Sequence, residues 1–440
     1  KPIMANGNNT SLTKANFGPK GWAVCIYMFF IFYLNTSMNS GWQNCLSYWE
    51  ATYGWDTTTL LSLVSIAQLI GVLACFITGR LATKYSTRKL ALAWGAVVTV
   101  SCFAINLVHN MVLFGILECL AVMGQVVWAY TLNPIFVSTW FPKKKGVVMG
   151  ITTIGVPLGA GTVAKVMNWI GATWGLNYCL YLPGFIGLIG ILFLLFVVRD
   201  MPEEAGCTPD NDPSLTSEDV KRMAAERAEL DAKSPWTVGR MLRQKETYIV
   251  ALCIGCCALF GGGFMGTNVL RMLAMGVEIP TAVNLMMMTA GFACIASYFF
   301  GVVDGKFGPR IGILLVQLFA VAACVLSAMA NGMGSFPCLV IGLMLGGCVI
   351  GGAANFLTSL VIEYWGVANF KRAYGVIYPI HQIPGSMGPL VIAQIAARAS
   401  YSVAYIVLAA IIAIAAVVLF SIKDGSFVKK AEASWTSNAR

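Results

Sequence analysis

Twelve apolar runs, each long enough to cross a bilayer, make up most of this chain and leave it few folds to choose from. They fall at about 22 to 46, 57 to 79, 89 to 108, 111 to 140, 146 to 171 and 174 to 198, then at about 247 to 275, 279 to 303, 310 to 331, 335 to 364, 374 to 398 and 401 to 422. A crossing helix needs about 20 mainly apolar residues. Hydrocarbon also requires each backbone polar group to be satisfied internally, which helices achieve one segment at a time. The acidic residues agree, because all but eight of the 19 lie between Asp200 and Glu246. Only 11% of residues are charged, against about 25% in soluble domains, so an ordinary soluble enzyme is excluded.

The net charge of +10 sits in short basic clusters between apolar runs. That is a topology signal and implies no nucleic-acid partner. The 14 cysteines are scattered through apolar stretches and read as small buried hydrophobes. Cys253, Cys256 and Cys257 cluster inside an apolar helix with no His, Asp or Glu beside them, so packing is expected rather than metal or redox chemistry. No metal and no cofactor is expected. The polar segments hold no nucleophile with its base and no phosphate loop, which argues against a membrane-bound enzyme.

Short connections make successive helices antiparallel neighbours. Lys14, Lys20, Lys143, Lys371, Arg372, Lys429 and Lys430 all fall on one side of a strictly alternating path, while Arg271 and Arg398 fall on the other. This places both termini in the cytoplasm of a multi-pass protein of the cell membrane. The expected organisation is a polar tail over 1–20 without the apolar core of a signal peptide, and a six-helix bundle over 21–198. A cytoplasmic linker over 199–246, a second bundle over 247–422 and a tail over 423–440 follow. In the linker, Thr216 and Asp219 form a capping-box pattern, and Glu218 with Arg222 and Glu229 with Lys233 stand at i,i+4 along one surface helix that Pro235 ends.

The halves repeat. Gly79, Lys84 and Arg88 recur as Gly301, Lys306 and Arg310, and Gly124 and Asn133 as Gly346 and Asn355, all at an offset of 222. Parallel repeats are the arrangement of carriers whose halves rock about a central site.

The segment Gly79-Arg80-Leu81-Ala82-Thr83-Lys84-Tyr85-Ser86-Thr87-Arg88-Lys89 resembles the motif between the second and third helices of the major facilitator superfamily, and the likeness covers all twelve spans. Thr83 replaces the motif's aspartate; in the second copy the acid is Asp304, one position early. Trp140-Phe141-Pro142-Lys143-Lys144-Lys145-Gly146, Asp304-Gly305-Lys306-Phe307-Gly308-Pro309-Arg310 and Tyr374-Gly375 resemble the oxalate:formate antiporter and monocarboxylate transporter group. The resemblance implies an all-α carrier of two pseudo-symmetric six-helix bundles, with Arg80, Lys84, Arg88, Asp304, Lys306 and Arg310 at a cytoplasmic gate; Glu363, in a stripe with Asn355 and Ser359 on the cytoplasmic half of span 10 and with Lys371 and Arg372 nearby, is expected to be a gate element too. Oxalate exchangers of that group use an arginine in the eighth helix and a lysine in the eleventh. Here the eighth span has no basic residue and the eleventh offers His381, which argues against oxalate itself.

A carrier needs polar groups near the midplane facing a cavity. Asn35, Asn39 and Gln43 form one helical stripe in the first span, open to a cavity or bonded between helices. Gln68, Gln125 and Trp128 lie at similar depth, and His381 with Gln382 lies near the midplane of span 11, flanked by Pro379 and Pro384. Histidine's ordinary pKa of about 6.5 places a charge switch near physiological pH. Glu118 and Lys165 both lie about 10 Å below the outer face and are expected to pair, structurally or as a coupling element. Arg271, near the outer end of its span, fits a rim contact or an anion ligand. The expected function is secondary transport of a small organic anion of monocarboxylate type, as exchanger or proton symporter, by a monomer among membrane lipid. Larger amphipathic acids, aromatic or steroid, or drug efflux are the alternatives.

Overall fold

The computed structural model describes residues 15–37, 46–175, 178–179, 181–422 and 424–437. Among them every regular element is helical. The first half runs α1 (Gly18–Thr36), α2 (Thr57–Leu81), α3 (Thr87–Ile105), α4, α5 and α6 (Tyr181–Phe196). Helix α4 is composite: Met111–Val127, a π-helical stretch Trp128–Leu132, then Asn133–Trp140. Helix α5 comprises Lys145–Thr152 and Gly155–Trp174. In the second half α7 (Lys245–Ala274), α8 (Ile279–Phe307) and α9 (Pro309–Met333) precede a continuous element Phe336–Arg398, and α12 (Tyr401–Phe420) closes it.

The element Phe336–Arg398 has 63 residues, roughly 95 Å of helix at 1.5 Å per residue, about three bilayer cores. Gly366, at φ 75° and ψ 165°, breaks it into α10 and α11. Among the described residues eight helices are long and apolar enough to cross a membrane, this double one among them, and Ile66–Leu81 and Tyr181–Phe196 are shorter apolar helices. The chain is a multi-pass membrane protein.

Local sequence sets the helix ends. Asp56 accepts a hydrogen bond from the Thr59 amide and Ser86 one from that of Lys89, each satisfying an orphan donor of a first turn. Gly308, at φ 83°, and Pro309 turn the chain sharply between α8 and α9, since glycine alone adopts that φ freely and proline suits a first turn.

Within the first half α2 packs on α4, and α3 on α4 and α6; within the second, α10 and α11 pack on α7, and α9 on α12. The α7–α11 contact is built from small residues. A Cβ on Gly263 would come 2.9 Å from the Gly388 carbonyl oxygen, and one on Gly255 3.0 Å from that of His381. Pro379, Pro384 and Pro389 interrupt α11 every fifth residue, each removing a backbone donor.

The linker carries its helix at Ser217–Lys233 with both bonds of the capping box between Thr216 and Asp219. Lys233 pairs with Glu229 as expected. Arg222 does not reach Glu218; it pairs with Asp219 at 3.1 Å and Glu226 at 3.9 Å, because the capping carboxylate already faces its turn. The linker grips both halves. Asp210 is buried and accepts the backbone N–H groups of Lys143 (3.0 Å) and Lys144 (2.9 Å) ahead of α5, while Asp231 pairs with Arg372 of α11 at 2.9 Å.

Burial pushes the Asp210 carboxyl up to about 6, against the pull of the Lys144 and Lys143 amides and charges. An unfolded aspartate titrates near about 3.9, so the docked form holds its proton more tightly. A group of this kind adds stability that is complete below its unfolded pKa and is lost as pH rises through the folded one. The linker is therefore expected to be cut faster by protease at pH 7 than at pH 5. Asp210→Asn should flatten that difference, and an unchanged difference would remove Asp210 as its cause.

Candidate functional site

The helices enclose a cavity of about 270 Å³ at mid-depth between the two halves. From the first half Phe32 and Asn35 of α1, Gln68 of α2, Tyr130 and Pro134 of α4, and Met149, Thr153 and Val156 of α5 reach it. From the second come Cys257 and Gly261 of α7, Ala353 and Leu357 of α10, and Tyr374, Tyr378, His381 and Gln382 of α11. No Lys, Arg, Asp or Glu is among its described lining residues.

Three tyrosines stack along one wall. The Tyr130 and Tyr378 ring centroids lie 5.9 Å apart at 12° between planes, and Tyr374 and Tyr378 lie 5.7 Å apart at 17°. Offset stacking of this kind holds aromatic faces rigidly. The column crosses between the halves, since Tyr130 belongs to α4 and its partners to α11. His381 lies at its upper end, 5.8 Å from the Tyr378 ring, and its Nδ1 has no hydrogen-bond partner in the protein. Tyr378 Oη is 3.5 Å from Gln382 Oε1.

Beneath the cavity the halves meet. Thr153 Oγ1 donates to Asn355 Oδ1 at 2.7 Å and lies 2.8 Å from Ser297 Oγ, which donates to the Gly150 carbonyl. Asn355 Nδ2 donates to the Ser297 carbonyl at 2.9 Å. Deeper, Gly79 of α2 abuts Gly375 of α11 and Gly150 of α5 abuts Gly301 of α8. Lys145 Nζ donates to the Ser359 carbonyl across the same seam, and Asp304 of α8 is buried against Gly146. The end that carries the linker is closed.

The structure brings Asn35, Gln68, His381 and Gln382 to the cavity, while Asn39 and Gln43 lie outside the described residues. Gln125 and Trp128 do not line it. Trp128 is buried inside the first half, where Nε1 donates to Tyr27 Oη at 2.7 Å and its ring fills the space left by Gly95 and Gly190. Gln125 is also fully buried there, with neither amide atom bonded. The π-helical stretch after Val127 adds a residue to the turn, so a stripe drawn at uniform helical spacing through Gln125 misassigns the face that meets the cavity. Tyr130, within the π-helical stretch, faces it instead.

Glu118 and Lys165 do not pair in this structure. Glu118 is buried beside Cys102 with both oxygens unbonded, whereas Lys165 is exposed; equal depth did not give equal facing. Arg271 is not at a rim, being fully buried inside the second half. Arg80, Lys84 and Lys306 are exposed. Arg88 and Arg310 serve their own halves: Arg88 donates to the Leu194 and Leu195 carbonyls at the end of α6, and Arg310 to the Phe420 carbonyl at the end of α12. Both cap a helix C-terminus, where a cation is favoured. Asp304 does reach across, and Glu363 stands near Lys145 and Arg310. The tyrosine column and the Thr153–Ser297–Asn355 network carry no charge or amide stripe that marks them in the sequence; only the recurrence of Tyr374 and Tyr378 at i,i+4 in span 11 points to one face.

A family model of the Major Facilitator Superfamily matches residues 23–389. The uncharacterized MFS-type transporter YhjX of Escherichia coli (strain K12) is 21% identical over 309 residues, 69% of this chain and 70% of that one. The glucose-6-phosphate exchanger SLC37A2 of Xenopus tropicalis is 34% identical over 89 residues, 19% of this chain and 17% of the exchanger's length. Among solved structures the fold is similar to the human organic anion transporter MFSD10 (TETRAN), with TM-score 0.68, 13% identity, and 94% of this chain and 100% of that one covered. It is similar to the proton:xylose symporter XylE, with TM-score 0.70, 13% identity and 97% and 100% covered. Two helical halves about a closed-ended central cavity, with this family match over most of the length, make the chain a member of the major facilitator superfamily of membrane transporters.

Proposed function

We propose that the chain carries a small organic acid, of monocarboxylate type, by alternating access, with His381 holding the carboxylate. The observation that carries this reading is the composition of the cavity wall: among the described lining residues His381 is the one basic group, an imidazole whose charged form a bound carboxylate favours. As an imidazolium it offers two N–H donors to a carboxylate and as a neutral ring it lets go, which ties the solute to a proton in symport or exchange. Asn35, Gln68 and Gln382 add amide donors. A phosphate ester brings nearly two charges, so the phosphorylated solute named for the exchanger relative fits this wall less well. The volume, about 270 Å³, is just under the roughly 300 Å³ at which drug-sized sites begin, which favours a small solute. The tyrosine column supports a second reading, an aromatic acid stacked against Tyr130 and Tyr378.

With the basic end cytoplasmic, the closed end faces the cytoplasm, and Lys145, Asp304 and Glu363 act as its gate. Uptake into proteoliposomes, measured against pH for the protein and for His381→Gln, tests the reading. A charged hydrogen bond is worth about 1.5–3 kcal/mol, so the variant is expected to lose roughly ten- to a hundredfold in uptake, together with the pH dependence. Full uptake with an unchanged pH profile would overturn it. Competition by benzoate against acetate separates the two solute readings.

A further inference from the structure

We propose that the second half holds a small inorganic anion of halide size, bound by Arg271 and Asn268 of α7 in a site separate from the central cavity. These residues lie one turn apart, on one face of the helix, and both are fully buried. None of the three guanidinium nitrogens of Arg271 and neither amide atom of Asn268 has a hydrogen-bond partner in the protein. Guanidinium keeps its charge and its five N–H donors at any ordinary pH. A fully buried cation of this kind requires a compensating charge.

Among the described residues none supplies it. The titratable groups that bear on Arg271 are Tyr405, Cys324 and Tyr401, with no carboxylate among them. The guanidinium carbon lies 4.8 Å from the Tyr405 ring centroid and 5.6 Å from that of Phe264. Aromatic faces favour a cation but recover only part of its lost hydration. They also leave the N–H edge of the guanidinium as the place for a ligand. The guanidinium and amide donors of Arg271 and Asn268, with a fixed positive charge, match a spherical monovalent anion.

The site is enclosed within one half. Cavity-lining residues of α7 end at Gly261, about 15 Å of helical rise before Arg271. An ion there moves with its half, so it serves whichever solute the cavity takes. The expectation is a halide-dependent carrier rather than a second transport path.

The test is thermal unfolding of the purified full-length protein in chloride, bromide, acetate or gluconate at constant ionic strength. Chloride and bromide should raise the midpoint saturably and gluconate should not, since a ligand that binds the folded state stabilises it by mass action. Asn268→Leu should weaken the apparent halide affinity about tenfold, and Arg271→Met should abolish the response. If the arginine variant does not fold, bromide anomalous diffraction from crystals of the unaltered protein decides, with a peak within hydrogen-bond distance of the guanidinium expected. Equal midpoints in chloride and gluconate, a response confined to acetate, a halide response unchanged in Asn268→Leu, or bromide absent from Arg271 would each overturn the proposal.

Discussion

Gly375→Val is expected to leave the protein folded and inserted while cutting uptake roughly five- to a hundredfold. A Cβ at Gly375 would lie 2.9 Å from the Cα and 3.1 Å from the carbonyl carbon of Gly79, whereas carbon atoms pack best at about 3.5–4.0 Å. The obstacle is backbone, which cannot rotate aside, so α2 and α11 must separate. Overpacking costs about 1–3 kcal/mol, and here the cost falls on the form closed at the linker end, because that closure is what brings the two glycines together. At about 1.4 kcal/mol per tenfold, the closed form becomes a minor species and the cycle stalls. Met149→Cys, at the linker side of the cavity, reports the shift: its thiol should label from that side far faster when Gly375→Val is present. Gly291→Ala serves as the control, since an added Cβ there meets nothing within 4 Å. Normal uptake by Gly375→Val would show that the Gly79–Gly375 contact is not needed for the cycle.

That contact also shows what was legible beforehand. The offset of 222 carries Gly79 to Gly301, and each packs against the opposite half at the same end, on Gly375 and Gly150. The same offset carries Arg88 to Arg310, both of which cap the last helix of their own half. Length, hydropathy and internal repetition therefore held the fold, because each is a property of the residues in order. Facing was harder. Whether Glu118 points at Lys165 or at Cys102 depends on the rotation of α4 about its axis, and in a protein surrounded by lipid both the outer and inner faces are apolar. A stripe of hydrophobic residues, which orients a helix in a soluble protein, gives no such cue here. His381, the one basic residue in the middle of its span, lines the cavity, and Trp128 does not, because a buried indole needs only one acceptor, which Tyr27 supplies inside the bundle.

Asp304 and Lys145 should show the strongest coupling of any pair at the closed end. Asp304 is buried where the first turn of α5 begins, beside Gly146, and a carboxylate there is favoured by the exposed amides and partial positive charge of a helix N-terminus. Lys145 crosses the seam to the Ser359 carbonyl at 3.0 Å, and the charges of Lys145 and Glu363 both bear on Asp304. Removing the carboxylate alone, in Asp304→Asn, leaves the half-buried Lys145 with less compensation; removing the ammonium alone, in Lys145→Met, leaves the buried Asp304 with only the like charge of the exposed Glu363 bearing on it. The two charges act on each other through space, without a direct salt bridge, and a charge left uncompensated at the seam is unfavourable, so each single variant is expected to lose the closed form, read as labelling of Met149→Cys from the linker side. The double variant removes both charges and should recover much of that loss, because the uncompensated charge, not the missing attraction, carries the penalty. Loss in the double variant equal to the sum of the singles would mean that Asp304 and Lys145 act independently, and the closure would then rest on the glycine contacts and the Thr153–Asn355 hydrogen bonds alone.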